Sequence, residues 1–171
     1  MSLSKRSFLS ASPTVTTADG RGVVYRKRNP KLALELLKEG NRRFLSDAPY
    51  NPPMDRLHRL HLAAAQRPFA AYLSCSDSRV PPELLFERGL GELFIVRNAG
   101  NTLCATALGS LEFAVTQLQV PLIVVMGHEA CGAIRAAVSV ARGETAYPGN
   151  VSKVLQSLLP AVLEADPWAE D

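Results

Sequence analysis

Between Pro30 and Leu45 the apolar residues Leu32, Leu36, Leu37 and Phe44 recur at the spacing of a helix with one buried face. Pro30 suits the first turn of such a helix, and Gly40 weakens the pattern inside it. Asp47 to Pro53 is a loop by composition. A second helix is predicted over about 54–66, with Leu57, Leu60 and Ala64 on one face and Pro68 as its stop. The period then changes. Phe69 to Ser74 is a short continuous apolar run, the pattern of a central strand covered on both faces. Glu92 to Arg97 and Leu122 to Met126 repeat that pattern. Helical spacing returns between them, from Pro81-Pro82-Glu83 and again over 102–119, where Leu108, Leu111, Val115 and Leu118 are in register. Two more helices are predicted, over 129–140 and through Val151, Val154, Leu155, Leu158 and Leu159, with Pro160 expected to interrupt the last.

Strands alternating with helices imply an α/β fold: a mostly parallel β-sheet flanked by helices, with an N-terminal helical arm. Residues 30–171 read as one domain, and ligands of such sheets bind beyond the carboxyl ends of the strands. Residues 1–29, rich in Ser, Thr, Gly and basic residues, read as a disordered leader. Ser4-Lys5-Arg6-Ser7-Phe8-Leu9 resembles a twin-arginine export signal, but the apolar region such a signal needs does not follow.

Charge changes this picture little. The formal net charge is +3, and residues 1–45 hold 10 of the 19 Lys and Arg. No aromatic residues alternate with them to stack bases, so no nucleic-acid partner is expected. The longest apolar runs are too short to cross a bilayer, so no membrane role is expected. Three cysteines, an odd number, argue against a disulfide framework and for reduced thiols in a cytoplasmic setting. No G-x-x-x-x-G-K-[ST] phosphate loop is present.

The chemistry concentrates at two strand ends. Cys75-Ser76-Asp77-Ser78-Arg79 follows the first strand, and Gly127-His128-Glu129-Ala130-Cys131 follows the third. Two thiolates and an imidazole, from Cys75, Cys131 and His128, suit tetrahedral zinc and leave one position open. A helix beginning near Cys131 helps hold its thiolate. Asp77 is close enough in sequence to close the fourth position, which describes a structural site. Arg79 is equally close to Asp77 and could draw it away as a bidentate pair, which describes an open, catalytic one. Both arrangements fit the spacing. Cys104 lacks a partner at metal spacing and reads as a small buried cysteine. His58 and His61, at i, i+3 without a thiol or carboxylate motif, read as solvated or hydrogen-bonded.

Cys75-x-Asp77-Ser78-Arg79 followed by His128-x-x-Cys131-Gly132 resembles the β-class carbonic anhydrases. Leu36 to Phe44, Val80-Pro81-Pro82-Glu83, Gly91-Glu92-Leu93-Phe94 and Arg97-Asn98-Ala99-Gly100-Asn101 are similar to further segments of that family, so the resemblance runs from about residue 30 to 165. It implies one zinc ion per chain held by Cys75, His128 and Cys131, with Asp77 and Arg79 as a catalytic dyad. It implies reversible hydration of carbon dioxide to bicarbonate and a proton by a zinc-bound hydroxide, and a homodimer or higher homo-oligomer. The family also has an inactive form in which the residue matching Asp77 binds zinc. Two alternatives accompany the resemblance: a carbon disulfide or carbonyl sulfide hydrolase on the same scaffold, and a non-catalytic zinc-binding assembly module. Family members continue past the helix around 151–165 with another helix and a strand or two, which this chain is expected to lack.

Overall fold

A computed structural model describes residues 29–165, except 49, 51 and 53. The expected leader therefore lies outside the described residues, apart from Asn29. The order of elements is α1 (Pro30–Leu45), α2 (Arg56–Ala64), β1 (Ala70–Cys75), α3 (Pro82–Leu85), β2 (Leu93–Asn98), a 3₁₀ turn (Ala99–Asn101), α4 (Ala105–Thr116), β3 (Ile123–Met126), α5 (Gly132–Ala141) and α6 (Gly149–Glu164). The three strands form one sheet in the order β2-β1-β3, and both pairings are parallel.

β1 is central and all six of its residues are buried, which is why its sequence is apolar without alternation. On one face Ala71 and Leu73 meet Ala107, Leu111 and Ala114 of α4, with Phe94 and Val96 of β2 beside them. On the other face Ala70 and Tyr72 meet Ala33 and Leu37 of α1, joined by Leu93, Ile95, Leu122 and Val124. Each large side chain so buried contributes about 1.5–3 kcal/mol. α5 and α6 form a separate layer around Ala137, Leu155, Leu158 and Val162.

α1 docks through an unusually close approach. A Cβ on Gly40 would lie 1.7 Å from the Phe86 carbonyl oxygen, so only glycine lets the helix approach there. Asn41 Nδ2 donates to the Leu85 carbonyl beside it, at 3.1 Å. The glycine that weakened the helical pattern is thus the point of docking. The buried stripe is Ala33, Leu37 and Gly40, whereas Leu32 and Phe44 are exposed.

Three expectations are corrected. The apolar face predicted for the second helix is turned outward: Leu57 and Leu60 are exposed, and the helix has no buried residue. Its inner side is His58 and Leu62, both half-buried, with His58 Nε2 3.3 Å from the Leu90 carbonyl. α6 runs through Pro160 instead of stopping there. Pro160 and Gln156 are both exposed, so the carbonyl that loses its amide donor four residues on faces solvent. Cys104 is exposed and stands at the N-cap position of α4 without a side-chain capping bond, and the helix begins later than its apolar spacing suggested.

β3 differs from the other strands. Leu122, Val124 and Met126 join the α1 side of the core, but Ile123 and Val125 are 41% and 62% exposed. It is one edge of the sheet, and among the described residues no helix covers the face that carries Ile123 and Val125. Among the described residues no helix is long and apolar enough to cross a membrane.

Candidate metal centre

Parallel pairing brings the carboxyl ends of β1 and β3 side by side, with Ser74 opposite Met126. Cys75 is the last residue of β1, and His128 follows β3 after Gly127. Cys131 is the N-cap of α5. The turn between His128 and Cys131 contains Ala130 at φ 53°, a left-handed conformation that a non-glycine residue adopts only when its surroundings hold it. One of those holds is visible: the Ala130 carbonyl accepts from Arg79 Nη2 at 3.2 Å.

The three side chains converge. One donor atom from each of Cys75, His128 and Cys131 lies within 4.8 Å of the others, and both thiols are buried. The two sulfurs are 3.8 Å apart. Two zinc–sulfur bonds of about 2.3 Å at a tetrahedral angle set sulfurs roughly 3.8 Å apart, so the pair already has that separation. His128 Nδ1 lies 3.0 Å from the Glu129 carbonyl. That contact suits an Nδ1–H donor and leaves Nε2 with the lone pair. Nε2 is buried and has no hydrogen-bond partner, which a cation in the cluster would remedy. The donor set, the sulfur separation and the orphaned nitrogen all fit zinc.

Asp77 is turned to Arg79. Arg79 Nε donates to Oδ1 at 2.9 Å, Nη2 donates to Oδ2 at 2.8 Å, and the Arg79 backbone N–H adds a third bond to Oδ1 at 3.0 Å. Of the two arrangements that the spacing allowed, this is the one with the carboxylate drawn toward the arginine. Oδ2 remains 3.9 Å from His128 Nε2, beside the cluster. The Arg79 hydrogen bonds and charge hold the Asp77 carboxyl well below the usual carboxylate range.

Cys75 is tuned by its surroundings. Burial pushes its thiol up, but the Gly100 and Asp77 backbone N–H groups, His128 and Cys131 outweigh that and bring it from 9.0 to about 7. The Gly100 N–H lies 3.4 Å from the sulfur. Gly100 has φ 70°, and a Cβ there would lie 2.9 Å from Leu158 Cδ1 and 3.2 Å from Ala133 Cβ. The turn that carries Cys75 is also held by Arg97, whose Nε donates to the Cys75 carbonyl at 2.8 Å and whose Nη2 donates to the Asp77 carbonyl at 2.6 Å.

The structure brings Cys75, His128 and Cys131 together and places the Asp77–Arg79 pair beside them. Cys104, His58 and His61 are not among the clustered donors. Sequence reasoning assigned no role to Gly100, Ala130 or Arg97. For Arg97 a signal existed: a cation closing an otherwise apolar strand, Leu93 to Val96, needs polar partners at that strand's end.

Comparison with known proteins gives one interpretation. A family model described as carbonic anhydrase matches residues 70–170. A second, described as galactofuranosyltransferase-2 domain 3, matches residues 7–59, which include none of the clustered residues. Carbonic anhydrase 2 of Mycobacterium tuberculosis is 47% identical over 135 residues, covering 79% of this chain and 65% of the relative. The carbonic anhydrase of Mycolicibacterium smegmatis is 44% identical, covering 79% and 66% respectively. The chain thus spans about two thirds of the length of the curated relatives it matches. Among solved structures, the β-carbonic anhydrase CcaA superposes with a TM-score of 0.58 at 27% identity, covering 81% of this chain and 69% of that one. The Coccomyxa β-carbonic anhydrase in complex with acetazolamide gives 0.57 at 28% identity, covering 78% and 58%.

Proposed function

The chain belongs to the β-carbonic anhydrase family, and from that premise we propose that it hydrates carbon dioxide reversibly to bicarbonate and a proton at one zinc ion per chain. The observation that carries this reading is the convergence of Cys75, His128 and Cys131 while Asp77 is held by Arg79. Three ligands with the carboxylate drawn aside leave the fourth position for water, the arrangement of a catalytic site. Zinc bound there supplies a Lewis acid that lowers the pKa of a coordinated water toward neutrality.

The chain's own residues do the rest. Cys75 and Cys131 would hold the metal as thiolates, and His128 would hold it through Nε2. Asp77 stays ionised because Arg79 stabilises its charge. It is therefore an acceptor at any pH where hydration is measured, and too weak a base to remove a proton near neutrality. Its role is to accept a hydrogen bond from the nucleophile and orient the attacking lone pair toward the carbon. The proton released per bicarbonate leaves to buffer.

An oligomer and a cytoplasmic setting complete the reading. A tetrameric β-carbonic anhydrase from Sordaria macrospora is 25% identical and superposes with a TM-score of 0.58. The exposed apolar side chains of α2 and β3 are surfaces that a second copy would cover. Thiolate ligands require a compartment that keeps Cys75 and Cys131 reduced. Stopped-flow carbon dioxide hydration across pH, on protein of measured mass and zinc content, tests the proposal. Zinc-dependent hydration above buffer is expected. Zinc-loaded protein without hydration, even above pH 8, would instead support a non-catalytic zinc module.

A further inference from the structure

We propose that Arg97 is a positioning residue that holds the Cys75–Asp77 turn in the geometry the metal centre needs; this rests on the zinc reading above. Arg97 lies on β2, opposite Ser74, and its neighbour Asn98 lies opposite Cys75. The Ser76 N–H donates to the Asn98 carbonyl at 2.9 Å, where the β1–β2 ladder ends. Beyond that point the backbone of 75–77 leaves the sheet. The Arg97 guanidinium takes over there, with one nitrogen on the Cys75 carbonyl and another on the Asp77 carbonyl. One rigid planar fork thus joins the backbone carbonyls of the two residues that carry the thiol and the carboxylate of this turn. Arg97 holds the backbone of Asp77, and Arg79 holds its carboxylate.

The electrostatics give the same assignment. Arg97 is half-buried, and among the described residues no carboxylate pairs with it. A half-buried cation without a counter-ion is unfavourable on stability grounds alone. Its position beside a turn that carries a thiolate and a carboxylate gives that charge a purpose. A lysine would keep the charge but could not bridge both carbonyls with fixed geometry.

The test compares Arg97→Lys and Arg97→Ala with the unaltered protein. Zinc affinity is measured by chelator competition, and ligand geometry by the absorption spectrum of the cobalt-substituted protein. Removing an outer contact of this kind lowers metal affinity by about 10–100-fold. Both variants are expected to show that loss, with a shifted thiolate-to-cobalt band and a kcat that falls more than KM changes. If Arg97→Ala does not fold, Arg97→Lys carries the test. Arg97→Lys with unchanged zinc affinity and an unchanged cobalt spectrum overturns the inference. If the unaltered protein binds zinc but does not hydrate carbon dioxide, the functional reading fails, and the affinity and spectrum still decide the role of Arg97.

Discussion

Gly100→Ala tests the coupling between the packing of α6 and the metal centre. The backbone at Gly100 has φ 70°, which costs a non-glycine residue about 1–2 kcal/mol. The added methyl would stand 2.9 Å from Leu158 Cδ1 and 3.2 Å from Ala133 Cβ. Leu158 is only 7% exposed, so it cannot swing away freely, and Ala133 moves only with α5. Overpacking of this kind costs about 1–3 kcal/mol. Alanine restricts the unfolded chain and returns about 0.4–1 kcal/mol. The balance is a loss of about 1–4.6 kcal/mol, below the ~5–15 kcal/mol of a typical domain, so the variant folds. With a urea dependence of about 2 kcal/mol per molar, the unfolding midpoint falls by about 0.5–2.3 M. The same shift moves the Gly100 N–H away from the Cys75 sulfur, so zinc affinity falls too, by an expected ~10-fold or more. Urea titration followed by circular dichroism and chelator competition read the two effects. An unchanged midpoint together with unchanged zinc affinity would refute the reasoning.

Asp77→Asn and Arg79→Ala should each keep one zinc but lose most hydration activity, because the first removes the charged acceptor and the second frees the carboxylate; full activity in stopped flow would sink these roles. Cys75→Ser should lose the metal instead, which elemental analysis would show. Metal-stripped protein should show an ultraviolet thiolate absorbance that titrates at about pH 7 and is missing in Cys75→Ser. The sign follows from a lowered pKa: the thiolate's contribution to stability is present above the unfolded value near 9.0 and is lost as pH falls through about 7. For Asp77, also lowered, the stability difference between wild type and Asp77→Asn should be constant above pH ~4 and shrink in acid, as acid denaturation at each pH would reveal. Gly40→Ala should lower thermal stability although alanine gains about 1 kcal/mol of helix propensity, since its methyl would meet the Phe86 carbonyl at 1.7 Å; a raised melting temperature would contradict the close approach.

The site was legible because its chemistry is local. Cys75, Asp77 and Arg79 follow one apolar run, and His128 and Cys131 follow another, so spacing along the chain is enough to define two strand ends and the donors they carry. β1 was legible for a related reason: a strand covered on both faces shows an unbroken apolar run. What stayed hidden depends on tertiary contacts. The apolar residues of α2 suit a buried face, yet Leu57 and Leu60 point outward because His58 and Leu62 take the inner side. Pro160 stops a helix in most settings, but its exposed position makes the broken hydrogen bond tolerable. Gly100 acts through its own backbone N–H, which carries no sequence signature; the charge of Arg97 at the end of an apolar strand was legible, but the two backbone carbonyls it holds emerge only from geometry.

Everything proposed above depends on Cys75, His128 and Cys131 holding one zinc ion with a fourth position free for water. X-ray absorption at the zinc edge, on protein of measured zinc content, addresses it directly. One zinc per chain is expected, with two sulfurs at about 2.3 Å and two lighter ligands at about 2.0–2.2 Å, one of them imidazole. Protein that binds no zinc, or binds it without two sulfur ligands, would contradict it.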